Sequence, residues 1–469
     1  MTSIRLWRPV VCALAAAALL VPQAAAAQDP TPVAPAPAPA LAPGPAAATP
    51  DRPSYDVRLR SDADGSHWKG RQTVSFRNSA RTPLRFVDVR LWGNGHADDG
   101  CGSPGKPSPV TVSAVRGGTP HPLTVRCTAL RIDLPKPLPY KARTTVSFDV
   151  SIAVPDRVHR FGRDGAHNFL GNALPLLSVQ DAKGRHLDPD VGFGESYYTL
   201  AGDFRVALDH PSALQVPATG TTVRRAGAPG RTVSTSAAHG VRDFAWAAGP
   251  FRTKTVTSPG GVRLNAYWTA TTPAEGVAYT LKEGASAVDE FGERFGRYPY
   301  GEIDLVMSDA LHGGMEFPGL VHLETGKISA VEHEIAHQWW YGIVGNDQFA
   351  EPWLDEGFAT YATWLRWGGD DGYCEGGPSW PDDTSALTRS MGYYADGRSS
   401  QFQRVVYQEG ACALSALESI LGSQEMAAML KKYVRDHWLG VSTTAGFKRA
   451  AQASTTKDLT PFWEKYRIH

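Results

Sequence analysis

Apolar residues alternate with polar ones at Tyr55, Val57 and Leu59, and again at Val146, Phe148, Val150, Ile152 and Val154. A period of two turns one side of an extended chain toward a core and the other toward solvent, so these stretches predict half-buried strands. Comparable short runs continue from about Pro53 to Pro250 with no long helical repeat among them. This predicts a sandwich-like all-β domain over residues 53–251. Beyond it the period lengthens. Thr272-Pro273 opens a helix reaching about Phe295, with the proline at its first position, and Ile303–Met307 reads as a strand. Val331, Ile335 and Trp339 recur at helical spacing behind a capping box of Ser329 and Glu332, and Gly342 ends the run. A further helix opens at Pro352 and stops at Gly368-Gly369. Others cover Ala411–Leu421 and Gln424–His437, the last capped by Ser423. Residues 252–469 are therefore predicted to form an α+β domain.

The helix behind the capping box carries His333-Glu334-Ile335-Ala336-His337. On a helix the two histidines lie one turn apart on one face, about 6 Å along the axis, and can share a tetrahedral ion at roughly 2.1 Å each. Glu334, next to the first imidazole, can deprotonate a water there without occupying the metal. The following helix brings Glu356 within range as a third ligand. Two histidines and one glutamate leave a fourth position open, the mark of a catalytic rather than a structural zinc site. The expectation is one Zn2+ per chain.

The residues around this core are similar to those of the M1 family of zinc aminopeptidases. HEIAHQWW followed by WLDEGFATY resembles that family's metal-binding pair of helices, and Gly313-Gly314-Met315-Glu316 its G-x-M-E-N exopeptidase motif. Phe295–Tyr300 resembles the segment preceding that motif. Val406-Tyr407-Gln408-Glu409-Gly410 matches the V-Y-x-K-G signature, and Arg242–Pro250 looks like the end of the family's N-terminal domain. The similarity runs from about Tyr55 to the C-terminus. It implies a thermolysin-like catalytic domain, with Tyr407 donating a hydrogen bond to the reacting oxyanion. It also implies that Glu316, flanked by Gly314 and Met315, binds the free α-amine of a peptide. Larger members continue into a helical domain beyond the point where this chain stops. Three positions depart from the pattern: Phe317 stands where the motif has asparagine, Glu409 where lysine is common, and Asp355 where asparagine usually precedes the third ligand. The family also places an acidic or amide side chain of the N-terminal domain at the amine, which this sequence does not locate. His312 and His322 read as structural, and Trp339, Trp340 and Trp353 as packing.

Lys plus Arg and Asp plus Glu both number 47, so no global charge points to nucleic acid or an anionic membrane. Arg5 and Arg8, the apolar run Val10–Val21 and the alanines at 24–27 read as a signal peptide over residues 1–27. Its core is too short to span a bilayer comfortably, and Cys12 lies away from the cleavage site, so an exported product without a stable anchor is expected. Residues 28–52, rich in Pro and Ala, read as an extended spacer. In an oxidising compartment Cys101, Cys127, Cys374 and Cys412 can form two bridges in three pairings, and proximity within domains favours Cys101–Cys127 and Cys374–Cys412.

The leading expectation is a secreted zinc aminopeptidase acting on peptides. A zinc endopeptidase with an open cleft, suggested by Phe317 and the short chain, and a catalytically inactive peptide-binding protein are the alternatives.

Overall fold

The computed structural model describes residues 48–95, 108–324 and 328–469, the side chains of Ile328 and Ser329 excepted. The signal segment, most of the Pro/Ala tract, Cys101 and the Ser329 cap lie outside the described residues. The alternating stretches form strands as their pattern requires. A seven-stranded sheet runs in the order 221–226, 231–241, 202–211, 51–61, 67–77, 143–153, 110–116. Neighbours pair antiparallel, except that Asp51–Ser61 runs parallel to Gly202–Pro211. Tyr55, Val57, Leu59, Val146, Phe148, Val150 and Ile152 are all buried. They meet Val87, Val89, Leu130 and Ile132 of a four-stranded sheet in one core, and Leu177 N donates to Tyr55 Oη at 3.1 Å between the layers. The spacer ends earlier than residue 52. Ala48 and Thr49 are buried, and Thr49 exchanges both backbone hydrogen bonds with Gln180 at 2.8 and 2.7 Å. Paired main chain of this kind belongs to the folded body.

From Arg252 onward the strands belong to a different sheet, in the order 252–257, 263–268, 302–308, 320–324, 314–315. Its central strand, Glu302–Ser308, has parallel neighbours on both sides and is buried throughout, and its apolar run Leu305–Met307 suits a strand covered on both faces. The two-residue strand Gly314–Met315 forms the edge beside the site. Against this sheet pack α1 (Ala274–Phe295), α2 (Ile328–Ala336) and α3 (Trp353–Trp367). Phe291 meets Trp339 edge-on at 6.0 Å, and Phe295 meets Trp340 at 5.0 Å. Trp339 and Trp353 each find a partner for the indole N–H, Gly296 O and Thr444 Oγ1, so both are packing residues.

Local details differ from expectation in three places. Pro273 precedes α1 rather than opening it, and Pro352 likewise precedes α3. Ser423 lies inside the helix Ser423–Asp436, whose cap is Gly422, so it accepts no capping bond. The α2 run does not reach Gly342 as an α-helix. After Ala336 the backbone widens into a π-type turn over Gln338–Ile343, with Trp340 and Tyr341 off helical geometry and Gly342 N bonding His337 O at 2.9 Å. Cys374 and Cys412 form a disulfide that ties the segment after α3 to the helix Gly410–Leu421. No helix among the described residues is long and apolar enough to cross a membrane.

One buried cation holds the widened turn in place. Arg242, from the β region, donates through Nε to Tyr341 O at 2.8 Å, and through its terminal nitrogens to Ile343 O at 3.3 Å, Thr199 O at 3.2 Å and Gly440 O. A Cβ on Gly345 would lie 2.1 Å from the guanidinium carbon, so glycine there makes room for it. Burial lowers the Arg242 pKa to about 10, which leaves it charged at neutral pH. Replacement by methionine keeps the bulk but strands carbonyls whose loss costs about 1–3 kcal/mol each. Arg242→Met should therefore lower the unfolding free energy by at least about 3 kcal/mol in urea denaturation. A change under about 1 kcal/mol would show that these carbonyls are satisfied another way.

Candidate active site

α2 presents His333 and Glu334 and, one residue past its end, His337, whose amide still bonds His333 O at 3.1 Å. α3 presents Asp355 and Glu356 from its first turn. His333 Nε2 lies 3.1 Å and His337 Nε2 3.2 Å from the same oxygen, Glu356 Oε2, and the two nitrogens are 3.0 Å apart. A tetrahedral ion held at about 2.1 Å spaces its ligands about 3.4 Å apart, so this triangle of donors has close to the dimensions that zinc requires. The donor types fit as well, and His333, His337 and Glu356 form one of the side-chain groups suited to a cation. The second ring nitrogen of His337 is engaged: Nδ1 is 2.8 Å from Asp355 Oδ1 and 3.2 Å from Trp340 O. That contact places the proton on Nδ1 and leaves the Nε2 lone pair facing the other ligands. Gln348 donates to the far oxygen of Asp355 and fixes it in turn. Asparagine at 355 would supply only a neutral acceptor, so the departure noted in the sequence strengthens the hold on the imidazole.

Glu334 reaches toward the edge strand. A Cβ on Gly314 would stand 2.2 Å from Glu334 Oε1, so the glycine is what lets the carboxyl lie there. Burial first, and then Glu316 beside it, push Glu334 well above the usual carboxylate range. Burial likewise raises Glu316 to about 7; Asp355 and Glu356 add to this, and His337 and Arg160 oppose it. Burial alone would raise Glu356 too, but His337 and His333 outweigh it and hold that carboxyl well below its ordinary value. Tyr407 does not start an α-helix. It sits in a π-type turn, Gln403–Glu409, and donates to Glu356 Oε1 at 2.6 Å while its ring stacks on His333 at 5.8 Å and 12°.

Met315 packs with Trp92, Phe169, Tyr197, Phe317 and Leu320, and its sulfur accepts from Arg160. Phe317 lies in the same apolar cluster, edge-on to His322 at 5.3 Å, away from the ligand triangle. His322 is buried and pushed down to about 3 by burial, so it is neutral and belongs to the wall. Glu409 is buried too, and accepts from Ser379 N at 3.0 Å.

An acidic side chain of the β region that the sequence reading did not place also lies here, Glu195. It is buried, pairs with Arg160 at 2.7 Å, and lies close enough to Glu316 and Glu356 for both to raise its pKa beyond the effect of burial. The surrounding stretch, Glu195–Thr199, is fully buried yet forms no strand, so period-two reading could not flag it. The only local signal was an acid set between turn residues, Gly192-Phe193-Gly194-Glu195.

Residues 279–466 match the Peptidase family M1 domain. Aminopeptidase M1 of Arabidopsis thaliana is 26% identical over 245 residues, which cover 44% of this chain and 27% of the plant protein. Aminopeptidase N of Lactobacillus delbrueckii subsp. lactis is 28% identical over 256 residues, covering 46% of this chain and 29% of that protein. The chain thus spans less than a third of the length of these relatives. The crystal structure of an M1 zinc metallopeptidase from Deinococcus radiodurans superposes with a TM-score of 0.65 at 21% identity, covering 91% of this chain and 94% of that one. At that identity the likeness speaks for the fold. A variant of the Deinococcus protein, 19% identical with a TM-score of 0.63 over 90% of this chain and 95% of that one, is bound to a Tyr-Ser-Ala substrate.

If Asp355 orients His337, its removal weakens the metal and not the fold. Asp355→Ala should lower zinc affinity about 10- to 100-fold in competition with a chelator, with helix content by circular dichroism unchanged. Undiminished affinity would mean that Trp340 O alone sets the imidazole.

Proposed function

We propose that the chain, which carries a peptidase family M1 domain over residues 279–466, is an exported zinc aminopeptidase that removes residues from the free N-termini of peptides. One observation carries the reading. Beside the triangle of His333, His337 and Glu356, the buried oxygens Glu316 Oε1 and Glu195 Oε2 have no hydrogen-bond partner among the described residues. Buried carboxylate oxygens left unpaired are costly, and an ammonium with three N–H donors satisfies them. A peptide whose α-amine sits there has its first peptide bond over the ligand triangle. The relatives are named as aminopeptidases, and the tripeptide bound by the Deinococcus variant is a substrate of matching class.

His333, His337 and Glu356 would hold the zinc, which when bound supplies Lewis acidity to the scissile carbonyl and to the attacking water. Glu334 takes the proton of that water and passes it to the leaving amine. Its place beside the ligand triangle, where Gly314 leaves room for the carboxyl, suits a group that accepts and then releases a proton. Tyr407 turns its hydroxyl from Glu356 toward the oxyanion that develops on the carbonyl oxygen. Glu316 and Glu195 fix the register by accepting from the ammonium. Export rests on the leader-like residues 1–27, and the Cys374–Cys412 bridge suits an oxidising compartment.

Glu334→Gln should retain zinc at wild-type stoichiometry, one ion per chain, and lose about a hundred- to ten-thousandfold in turnover of an aminoacyl anilide. Tyr407→Phe should lower kcat about a hundredfold with KM little changed, since the hydroxyl acts on developing charge. Near-normal turnover in Glu334→Gln would remove Glu334 as the base, and a Tyr407→Phe defect confined to KM would assign that hydroxyl to substrate binding.

A further inference from the structure

Arg160 lies outside every motif, yet its guanidinium touches the acidic pocket directly. It comes from the segment leading into the strand Phe161–Asp164 of the β region, and its side chain is largely buried. Its Nη1 donates to Glu195 Oε1 at 2.7 Å and lies 2.8 Å from Met315 Sδ. Met315 is next to Glu316 on the edge strand, so a single guanidinium spans from one wall of the amine pocket to the other. Its main chain is fixed as well: Gly171 N donates to Arg160 O at 2.9 Å, and a Cβ on Gly171 would meet that same oxygen at 2.9 Å and the Phe317 ring at 2.1 Å.

We infer that Arg160 is a positioning residue for recognition of the substrate α-ammonium, cross-bracing Glu195 to the strand that carries Glu316. The inference rests on the aminopeptidase reading above. Arg160 takes Oε1 of Glu195; Oε2, like Glu316 Oε1, has no hydrogen-bond partner among the described residues, and Glu316 and Glu356 both lie close enough to Glu195 to raise its pKa. The guanidinium offsets part of the negative charge that Glu195 and Glu316 gather here. Without the guanidinium, two desolvated carboxylates would face each other and repel, and Glu195 would lose the bond that sets its rotamer. Both contacts are made by Nη1 alone, so a lysine ammonium, with three donors on one nitrogen, can replace the pairing with Glu195.

The test uses the zinc-loaded enzyme and an aminoacyl anilide, each variant checked for zinc content and thermal midpoint. Losing a charge-assisted bond at a buried carboxylate should raise KM about ten- to hundredfold in Arg160→Met, with kcat within about threefold of wild type. Arg160→Lys should recover most of that loss. Glu195→Gln should raise KM similarly, and the double variant should be no worse than the poorer single one, because Arg160 acts through Glu195. Effects that multiply in the double variant, a KM unchanged in Arg160→Met, or a loss falling equally on kcat would overturn the inference. Should Arg160→Met fail to fold, Arg160→Gln takes its place as the uncharged variant against Arg160→Lys. An inactive wild-type enzyme would refute the underlying reading, whereas these outcomes in an active one refute only the role of Arg160.

Discussion

Burying carboxylates is the constraint on which the rest of this structure depends. Glu195, Glu316, Glu334, Asp355 and Glu356 all lie out of water where the β region meets the helical region. A lone carboxylate so placed takes up a proton or finds a cation. The chain supplies one cation itself, Arg160 at Glu195, and turns the Nδ1–H of His337 toward Asp355. His333, His337 and Glu356 form a group suited to a further cation, a metal, and the function proposed above adds the substrate ammonium at Glu195 and Glu316. The site is thus a set of negative charges held apart at fixed spacing until two ligands neutralise them.

That spacing depends on main chain far from the acids. His337 sits where α2 gives way to a wider turn, and the exposed carbonyls of that turn are gathered by Arg242 from the other region. Tyr407 reaches Glu356 from a second wide turn, whose following helix is tied by Cys412 to the segment after α3. Tyr407 itself lies within its wide turn, a recurrent use of π-type geometry at functional sites, whereas His337 stands just before the other. The rigidity of the site comes from these fastenings as much as from the ligands.

Most of the site could be read in the sequence because its parts are local. Histidines one turn apart, a glutamate between them and a carboxylate opening the next helix follow from helical spacing, and they meet as expected. The half-buried strands were legible for the same reason, since Val57 or Phe148 needs only its immediate neighbours to declare which way it faces. What escaped is long-range. Glu195 and Arg160 lie in irregular chain, where no periodicity exists, and their meaning comes from partners more than a hundred residues away in sequence, at Met315 and Glu356. The wide turns escaped because period 3.6 continues through Trp339 in the sequence, while the backbone departs from it to let Arg242 in. The Ser423 cap failed because Gly422, with its left-handed freedom, ends the preceding helix and starts the next.

The central claim is that buried carboxylates beside the metal ligands select a free amine and so dictate where the chain is cut. Mass spectrometry of a timed digest of one long peptide, with its N-terminus free in one sample and acetylated in the other, tests this most directly. The account predicts a ladder of single-residue losses from the free peptide and little change in the acetylated one, because acetylation removes the cation that Glu195 and Glu316 require. Early internal fragments from both samples would contradict it and make this protein an endopeptidase.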